Sequence, residues 1–262
     1  MRLDIYLFKN RFAPSRAKAQ EIIKKGLVLI NGKVITKPSF ELLCNENITI
    51  TEYRQYVSRG AYKLLKALQE FDIDFKGKTV LDCGASTGGF SEVALENGAK
   101  KVYAVDVGSG ELSEKLCKDR RVINLENTDV RKLTKEMVGD SVIVVSDISF
   151  ISLRHILPKL KELLGKIEMV ILFKPQFECG KDIAKRYKGV IKNSAIHKSL
   201  LKDFIEYLAG LEFKVSGLTY SSIQGKNGNI EYLFHLNGRQ GKPFSVDEVV
   251  DNAFKYFKEK TN

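Results

Sequence analysis

The sequence has too few metal-binding side chains to indicate a zinc site or a disulfide framework. Its 262 residues include three histidines and four cysteines, Cys44, Cys83, Cys117 and Cys179, which lie far apart. No two cysteines form a C-x-x-C pair and the histidines do not cluster, whereas zinc sites usually bring such ligands together at short spacings. We therefore expect reduced, structural thiols and no bound metal.

Long apolar runs are also missing. No stretch approaches the roughly 18 consecutive apolar residues that a membrane helix needs. The N-terminal MRLDIYLFKNRF carries charges where a signal peptide would have its apolar core. We therefore predict a cytoplasmic protein without a membrane segment. Hydrophobic residues still make up 44% of the chain, which is enough for one large domain with a small partner.

Acidic residues are the minority among the charged side chains. The chain has 43 Lys and Arg against 32 Asp and Glu, a formal net charge of +11. Residues 1–57 contain ten basic and five acidic side chains, so they are more than twice as basic per residue as the remainder. Such a charge favours a polyanionic partner, although a merely basic soluble protein would have the same composition.

Residues 1–50 show the pattern of a small α+β domain. Ser15 can cap a helix that Gly26 ends, and a shorter helix precedes it. Asn31-Gly32 lies between two β-rich runs and predicts a hairpin. Residues 51–57 are interpreted as a linker.

The polar face of this domain carries the candidate RNA-binding residues. The arrangement RLD…SRAKAQEIIKKGLVLINGKVITKPS closely resembles the small RNA-binding domain first seen in ribosomal small-subunit protein four. That resemblance implies that the second helix and the hairpin face RNA. The candidate residues are Arg2, Arg16, Lys18, Gln20, Lys24 and Lys33.

Residues 58–262 alternate β-rich runs with helical patterns, which predicts a doubly wound, Rossmann-like α/β domain. The predicted parallel strands lie near 79–83, 102–107, 122–126, 142–147 and 169–174. The predicted helices lie near 89–97, 111–117, 152–163, 194–209 and 245–260. Two late strands, near 213–220 and 231–236, have no long helix between them. We expect them to pair antiparallel and to complete a seven-stranded sheet.

Each of four predicted parallel strands ends in a charged residue. These residues are Asp82, Asp106, Asp147 and Lys174. Ligands of open α/β sheets bind outside the carboxyl ends of the strands, so the four charges predict a functional rim.

A loop of small residues follows the first parallel strand. Residues 82–90 read DCGASTGGF, which is neither a G-x-G-x-x-G motif nor a P-loop, so a nucleoside without phosphate is the better ligand. Asp106 stands 22 residues after Gly84, where an acid can bind a ribose diol, and Asp129 can accept from an adenine amino group. A tight turn explains the glycines alone equally simply. The candidate ligand-binding residues are Gly84, Ser86, Thr87, Gly88, Gly89, Phe90, Asp106, Val107 and Asp129.

A series of ordered motifs resembles the TlyA family of ribosomal RNA 2′-O-methyltransferases, also called hemolysin A proteins. The motifs are YVSRGAYKL (56–64), LDCGASTGGF (81–90), VSDISFISL (145–153), LFKPQFECGK (172–181) and GNIEYL (228–233). The resemblance implies that S-adenosyl-L-methionine is the cofactor. It also implies that the substrate is a cytidine 2′-hydroxyl in ribosomal RNA, in the small subunit, the large subunit or both.

The family is similar in its catalytic site to FtsJ-type methyltransferases, which use a Lys-Asp-Lys-Glu tetrad. Matched by motif, the tetrad here is Lys63, Asp147, Lys174 and Glu231. A strand that begins at Glu231 and runs antiparallel would place this carboxylate at the rim that holds Asp147 and Lys174. We expect Lys174 to be the base, although the sequence does not decide which lysine is neutral.

Residues 176–193 also contain several basic side chains. We interpret the segment as a mobile loop that grips RNA beside the active site, with a solvated surface loop as the alternative. The basic residues are Lys181, Lys185, Arg186, Lys188 and Lys192.

Two other classes of protein compete with a methyltransferase. An RNA-binding or ribosome-assembly protein could keep the fold without the activity, but the complete tetrad argues against this. A pore-forming hemolysin is suggested by the family's older name, but the sequence has no signal, span or long amphipathic membrane strand.

Overall fold

The computed structural model describes residues 1–13, 15–31, 33–43, 46–50, 56–225, 227–239, 241 and 243–259. The chain divides into two compact units, Met1–Gln55 and Tyr56–Asn262. Of the predicted linker, residues 51–55 lie outside the described part of the chain.

The N-terminal unit packs two helices against a small antiparallel sheet. Its elements are α1 (Leu3–Lys9), α2 (Arg16–Lys24), β1 (Val28–Ile30), β2 (Lys33–Ile35) and β3 (Ile48–Ile50). The order in the sheet is β2-β1-β3. Ser15 Oγ accepts from the Lys18 N–H at 3.1 Å and so caps α2. Ile30 pairs with Lys33, which confirms the predicted hairpin, although Gly32 lies outside the described residues.

The larger unit is built on a seven-stranded sheet, as predicted. The strands are β4 (Thr79–Cys83), β5 (Lys101–Val105), β6 (Val122–Leu125), β7 (Ile143–Ser146), β8 (Glu168–Phe173), β9 (Val215–Tyr220) and β10 (Tyr232–Leu236). Their order is β6-β5-β4-β7-β8-β10-β9. Strands β4 to β8 are parallel, and β10 runs antiparallel to both β8 and β9.

Helices flank this sheet. They are α3 (Ala61–Glu70), α4 (Gly89–Glu96), α5 (Glu114–Cys117), α6 (Lys135–Val138), α7 (Leu157–Leu164), α8 (Pro175–Glu178), α9 (Gly180–Arg186), α10 (Ser194–Gly210) and α11 (Val246–Glu259). Two predicted helices are shorter than expected: 111–117 is helical only from Glu114, and a 3-10 turn takes up the start of 152–163. Apolar side chains from the helices and from both faces of the sheet form two buried clusters, which fixes the strand ends relative to one another. In the described part of the chain, no helix is both long enough and apolar enough to cross a membrane.

Candidate active site

Strand register brings three charged groups to one end of the sheet. In the β8–β10 pair, Phe173 lies opposite Tyr232, so Lys174 and Glu231 follow as neighbours at the sheet edge. In the β4–β7 pair, Cys83 lies opposite Ser146, which places Asp147 at the same edge. The antiparallel direction of β10 therefore delivers Glu231 to the carboxyl ends of the parallel strands.

Lys63 links two carboxylates at this edge. Its Nζ lies 3.0 Å from Asp147 Oδ2 and 2.9 Å from Glu231 Oε2. Its side chain is 11% exposed, and that of Glu231 is 3% exposed. The Lys63 side chain is therefore buried among these carboxylates rather than solvated.

The close approach of two helix starts positions Lys63. A Cβ atom on Gly89, at the start of α4, would lie 2.8 Å from the Ala61 nitrogen and would clash with Ser58 Oγ. Only a glycine lets α4 pack this closely against the first turn of α3, which carries Lys63. Gly88 before it has φ +94, and a Cβ there would run into Leu116. Packing within the protein therefore requires glycine at both positions, whether or not a ligand binds there.

The charge on Lys63 is strongly favoured. Burial alone would lower the pKa of this ammonium, but the carboxylates of Asp147 and Glu231 outweigh it and raise the pKa above the ordinary 10.5. Lys63 is therefore a fixed cation at neutral pH. The two carboxylates stabilise the protonated form of Lys63, so this residue is poorly suited to act as a base.

Lys174 has different partners. Its Nζ lies 2.6 Å from Asp147 Oδ1 and donates to the Asp147 carbonyl oxygen at 3.1 Å and to Ser149 Oγ at 2.7 Å. The Lys174 side chain is 5% exposed. Asp147 is therefore the centre of the cluster, because its carboxylate contacts both lysines: Lys174 is closest to Oδ1, and Lys63 is closer to Oδ2 than to Oδ1.

Two cavities meet at this cluster. The first, which we call the Lys174 cavity, has a volume of about 780 Å³ and is also lined by Lys63, Glu231 and Phe150. The second, the Asp106 cavity, has a volume of about 550 Å³. The residues that line both are Gly84, Ser86, Asp147, Ser149 and Phe150. The cavities therefore adjoin, and the lysine–carboxylate cluster lies at one side of their junction.

The Asp106 cavity has a carboxylate fixed by backbone groups. Asp106 Oδ2 accepts from the Ser86 N–H and Oδ1 accepts from the Gly108 N–H, both at 2.8 Å. Each oxygen retains a further lone pair for a ligand hydroxyl. Asp106 lies directly after β5, which ends at Val105 rather than at the predicted 107.

Of the other predicted ligand-binding residues, Gly88 lines neither cavity, and the rest divide between the two. Val107 and Asp129 line the Asp106 cavity, and Thr87, Gly89 and Phe90 line the Lys174 cavity. Hydrogen bonds from Arg131 lower the pKa of Asp129 to about 2, so Asp129 is a charged acceptor at neutral pH.

Asp82 does not belong to the predicted rim. It lies within β4, is 0% exposed, and accepts a hydrogen bond from Ser91 Oγ at 2.6 Å. Burial raises the pKa of this carboxyl to about 7. The prediction was wrong because strand alternation turns Asp82 towards α4, away from both cavities.

An aromatic pair at the Lys174 cavity was missed from the sequence. Phe150 is 91% exposed and has φ +70, an uncommon conformation for a bulky residue. Its ring lies 5.5 Å from that of Phe177, and both residues line the cavity. The available signal was a phenylalanine directly after a strand-end motif, where an apolar side chain has no strand to pack into.

The candidate RNA-binding side chains of the N-terminal unit are organised around a buried acid. Asp4 is 0% exposed and accepts from both Arg2 and Arg16 at 3.0 Å and from Gln20 at 2.8 Å. The Arg2 and Arg16 side chains remain 38% and 49% exposed. Asp4 thus fixes two guanidinium groups whose other N–H groups are free of this carboxylate.

The remaining candidates in this unit differ in their surroundings. Lys18 forms an ion pair with Glu21 at 2.8 Å. Lys24 and Lys33 are exposed.

The basic segment 176–193 is not the predicted loop. Helices α8 and α9 occupy most of it. Asn229 holds the part that follows α9, because its side chain donates to the Gly189 carbonyl oxygen at 2.8 Å and accepts from the Ile191 N–H at 3.1 Å. The loop prediction was wrong because the two glycines that suggested a loop, Gly180 and Gly189, instead lie at the start of a two-turn helix and just beyond its end.

The described residues contain no group of three or more His, Cys, Asp or Glu side chains that could hold a metal ion. The cluster around Asp147 pairs its carboxylates with lysines instead.

Comparisons with known proteins identify the families of both units. Residues 56–238 match the FtsJ-like methyltransferase family, and residues 1–48 match the S4 domain. "Hemolysin A" of Brachyspira hyodysenteriae is 41% identical over 90% of this chain and 99% of its own length. The "16S/23S rRNA (cytidine-2'-O)-methyltransferase TlyA" of Mycobacterium tuberculosis is 37% identical over 98% of this chain and 97% of its own length.

A solved structure extends the likeness to the whole chain. A Streptococcus thermophilus protein, solved under the name of a hemolysin, is 38% identical, with a TM-score of 0.74 over 100% of this chain and 98% of that one. The sheet order and the family match define the larger unit as a methyltransferase. The chain belongs to the FtsJ-like methyltransferase family and carries an S4 domain at residues 1–48.

Proposed function

We propose that the protein transfers a methyl group from S-adenosyl-L-methionine to the ribose 2′-hydroxyl of a cytidine in ribosomal RNA. The observation that carries this proposal is the cluster of Lys63, Asp147, Lys174 and Glu231 beside the junction of two cavities. The relatives named as rRNA cytidine-2′-O-methyltransferases support the choice of substrate.

The residues of the Asp106 cavity suit the methyl donor. Asp106 offers two oriented carboxylate oxygens to a ribose diol, and Asp129 offers a charged acceptor to an adenine amino group. The cavity is large enough for a nucleoside-sized ligand. S-adenosyl-L-methionine supplies an electrophilic methyl group when it is bound.

The Lys174 cavity receives the target nucleotide in this proposal. A ribose hydroxyl is a weak nucleophile until its proton leaves, so a base beside it accelerates the reaction. Lys174 is the base, while Lys63 remains charged and holds Asp147 and Glu231 in place. Phe150 presents an exposed ring on which a base drawn out of the RNA can stack.

The N-terminal unit supplies RNA affinity. Arg2 and Arg16 present fixed guanidinium groups to phosphates, and Lys24 and Lys33 add exposed charge. Guanidinium groups keep their protons in proteins, so this unit binds RNA without taking part in the chemistry.

The test is methylation of isolated ribosomal subunits with radiolabelled S-adenosyl-L-methionine, followed by nuclease digestion and mass analysis of the nucleosides. We expect 2′-O-methylcytidine in small-subunit RNA, large-subunit RNA or both. Label on a base, or on the ribose of another nucleoside, would contradict the proposed substrate. No label at all from the folded, donor-binding protein would favour an RNA-binding protein without activity.

A further inference from the structure

Ser149 stands between the nearly buried Lys174 and open space. Its Oγ lies 2.7 Å from Lys174 Nζ. Ser149 is exposed and lines both cavities, whereas the Lys174 side chain is only 5% exposed. A ligand entering either cavity therefore has ready access to the Ser149 hydroxyl and much less access to the amine behind it.

The partners of Lys174 determine where its lone pair can point. A lysine ammonium has three N–H groups, and the three acceptors near Nζ are Asp147 Oδ1, the Asp147 carbonyl oxygen and Ser149 Oγ. The neutral amine keeps two N–H groups and one lone pair. A carboxylate and a carbonyl can only accept, so both N–H groups stay on Asp147. The lone pair then faces Ser149, whose hydroxyl can donate as well as accept.

We propose that Ser149 is a catalytic residue that relays the proton of the ribose 2′-hydroxyl to Lys174. This inference rests on the proposed function, in which Lys174 is the base. The 2′-hydroxyl gives its proton to Ser149 Oγ while the Ser149 proton passes to the lone pair of Lys174 Nζ. The 2′-oxygen bonds to the methyl carbon, the carbon–sulfur bond breaks, and its electron pair stays on sulfur. The products are the methylated ribose, a neutral thioether and the Lys174 ammonium.

The test compares Ser149→Ala and Ser149→Thr in single-turnover methylation of ribosomal subunits. Alanine removes the hydroxyl, so we expect the rate to fall by about 100-fold or more, as for the loss of positioned proton transfer. Threonine keeps a hydroxyl and should be at least about tenfold faster than alanine, since only its added methyl group must be accommodated. Ser199→Ala makes the same chemical change on the exposed surface of α10 and should leave the rate unchanged.

Two further measurements separate a relay from a structural effect. Calorimetric affinity for S-adenosyl-L-methionine should be the same in wild type and Ser149→Ala. The wild-type rate in mixtures of light and heavy water should curve with deuterium content, because two protons move together, and the residual Ser149→Ala rate should vary linearly.

Failure of the Ser149 relay and failure of Lys174 as the base give different results. A Ser149→Ala rate within about threefold of wild type, with Lys174→Ala inactive, would show that Lys174 takes the proton directly. A threonine variant no faster than alanine would also overturn the relay, because it would show that restoring a hydroxyl does not restore the rate. A Lys174→Ala variant with wild-type activity would instead overturn the proposed base itself.

Discussion

Two carboxylates, one in each unit, organise basic side chains in different ways. Asp4 in the N-terminal unit holds two arginines and a glutamine, and the arginines stay 38% and 49% exposed. Asp147 in the larger unit holds two lysines whose side chains are 11% and 5% exposed. One acid therefore arranges guanidinium groups at a surface, and the other arranges two lysine side chains within a pocket.

The difference follows from the chemistry of the two cations. A guanidinium group does not lose its proton in proteins and can use several N–H groups at once, which suits phosphate binding. An amine can give up a proton when its surroundings permit, which suits a base. In the proposed function, the carboxylate of Asp4 thus supports RNA binding and that of Asp147 supports the chemistry. The predictions below test this division, starting with the largest effect.

Replacing Lys174 should produce the largest loss. Lys174→Ala should lower the single-turnover methylation rate by about 10²- to 10⁴-fold, the usual contribution of a positioned base. Lys174→Arg should be nearly as inactive, because arginine keeps the charge but cannot accept the proton. Donor affinity, measured by calorimetry, should be retained in both variants. An arginine variant within about tenfold of wild type, with the same pH dependence, would show that the amine acts only as a cation.

Asp106 should behave as a binding carboxylate with a neutral ligand. Asp106→Ala should weaken binding of S-adenosyl-L-methionine by roughly 1–3 kcal/mol, because hydroxyl partners in the ligand would be left unpaired. Calorimetry on the folded variant measures this loss, and Asp140→Ala, a change at a fully exposed side chain, is the control. Unchanged affinity at Asp106→Ala would remove the residue from the donor site.

The arginines held by Asp4 should determine the salt dependence of RNA binding. Arg16→Ala should reduce the slope of log affinity against log salt by about one phosphate equivalent. Lys18→Ala should change the slope less, because Lys18 is paired with Glu21 and only 20% exposed. A full wild-type slope in the Arg16→Ala variant would mean that its guanidinium does not meet RNA.

The two clusters should also lose their contributions to folding stability at opposite ends of the pH scale. We expect this to be the smallest of the four effects. Burial raises the pKa of Asp4, but hydrogen bonds from Arg2, Gln20 and Arg16 outweigh it and hold the pKa well below the ordinary 3.8. Its stabilising contribution is therefore present above about pH 3.8 and is lost as the pH falls below that value. The raised pKa of Lys63 gives the reverse: its contribution is present below about pH 10.5 and is lost as the pH rises through the folded-state value.

Urea unfolding followed by amide signals of each unit measures this contrast. The N-terminal signals of wild type should lose stability between pH 5 and pH 2.5, and Asp4→Asn should lose less over the same interval. Lys63→Met should likewise show a smaller alkaline loss in the larger unit. Equal acid sensitivity of wild type and Asp4→Asn would contradict the role given to this carboxylate.

Sequence patterns predicted the sheet well because alternating β and α runs and hairpin signals are local. The register of β10 could also be inferred, since an antiparallel strand beginning at Glu231 must start at the rim. Strand alternation was the weak point at Asp82, where a charge within a strand was taken for a charge after it. Contacts between residues far apart in the sequence could not be predicted. Nothing near Asp4 in the sequence indicates that it accepts a hydrogen bond from Gln20, 16 residues away.

The central claim is tested most directly by mapping ribosomal RNA from cells that lack the chain and are supplied with wild type or with Lys174→Ala. Mass analysis of the nucleosides should show 2′-O-methylcytidine at a defined site with wild type and its absence with Lys174→Ala, at equal protein levels. Two results would contradict the assignment of this chain and its Lys174 to the reaction. One is equal methylation with wild type and Lys174→Ala, and the other is methylation of the same site in cells that lack the chain.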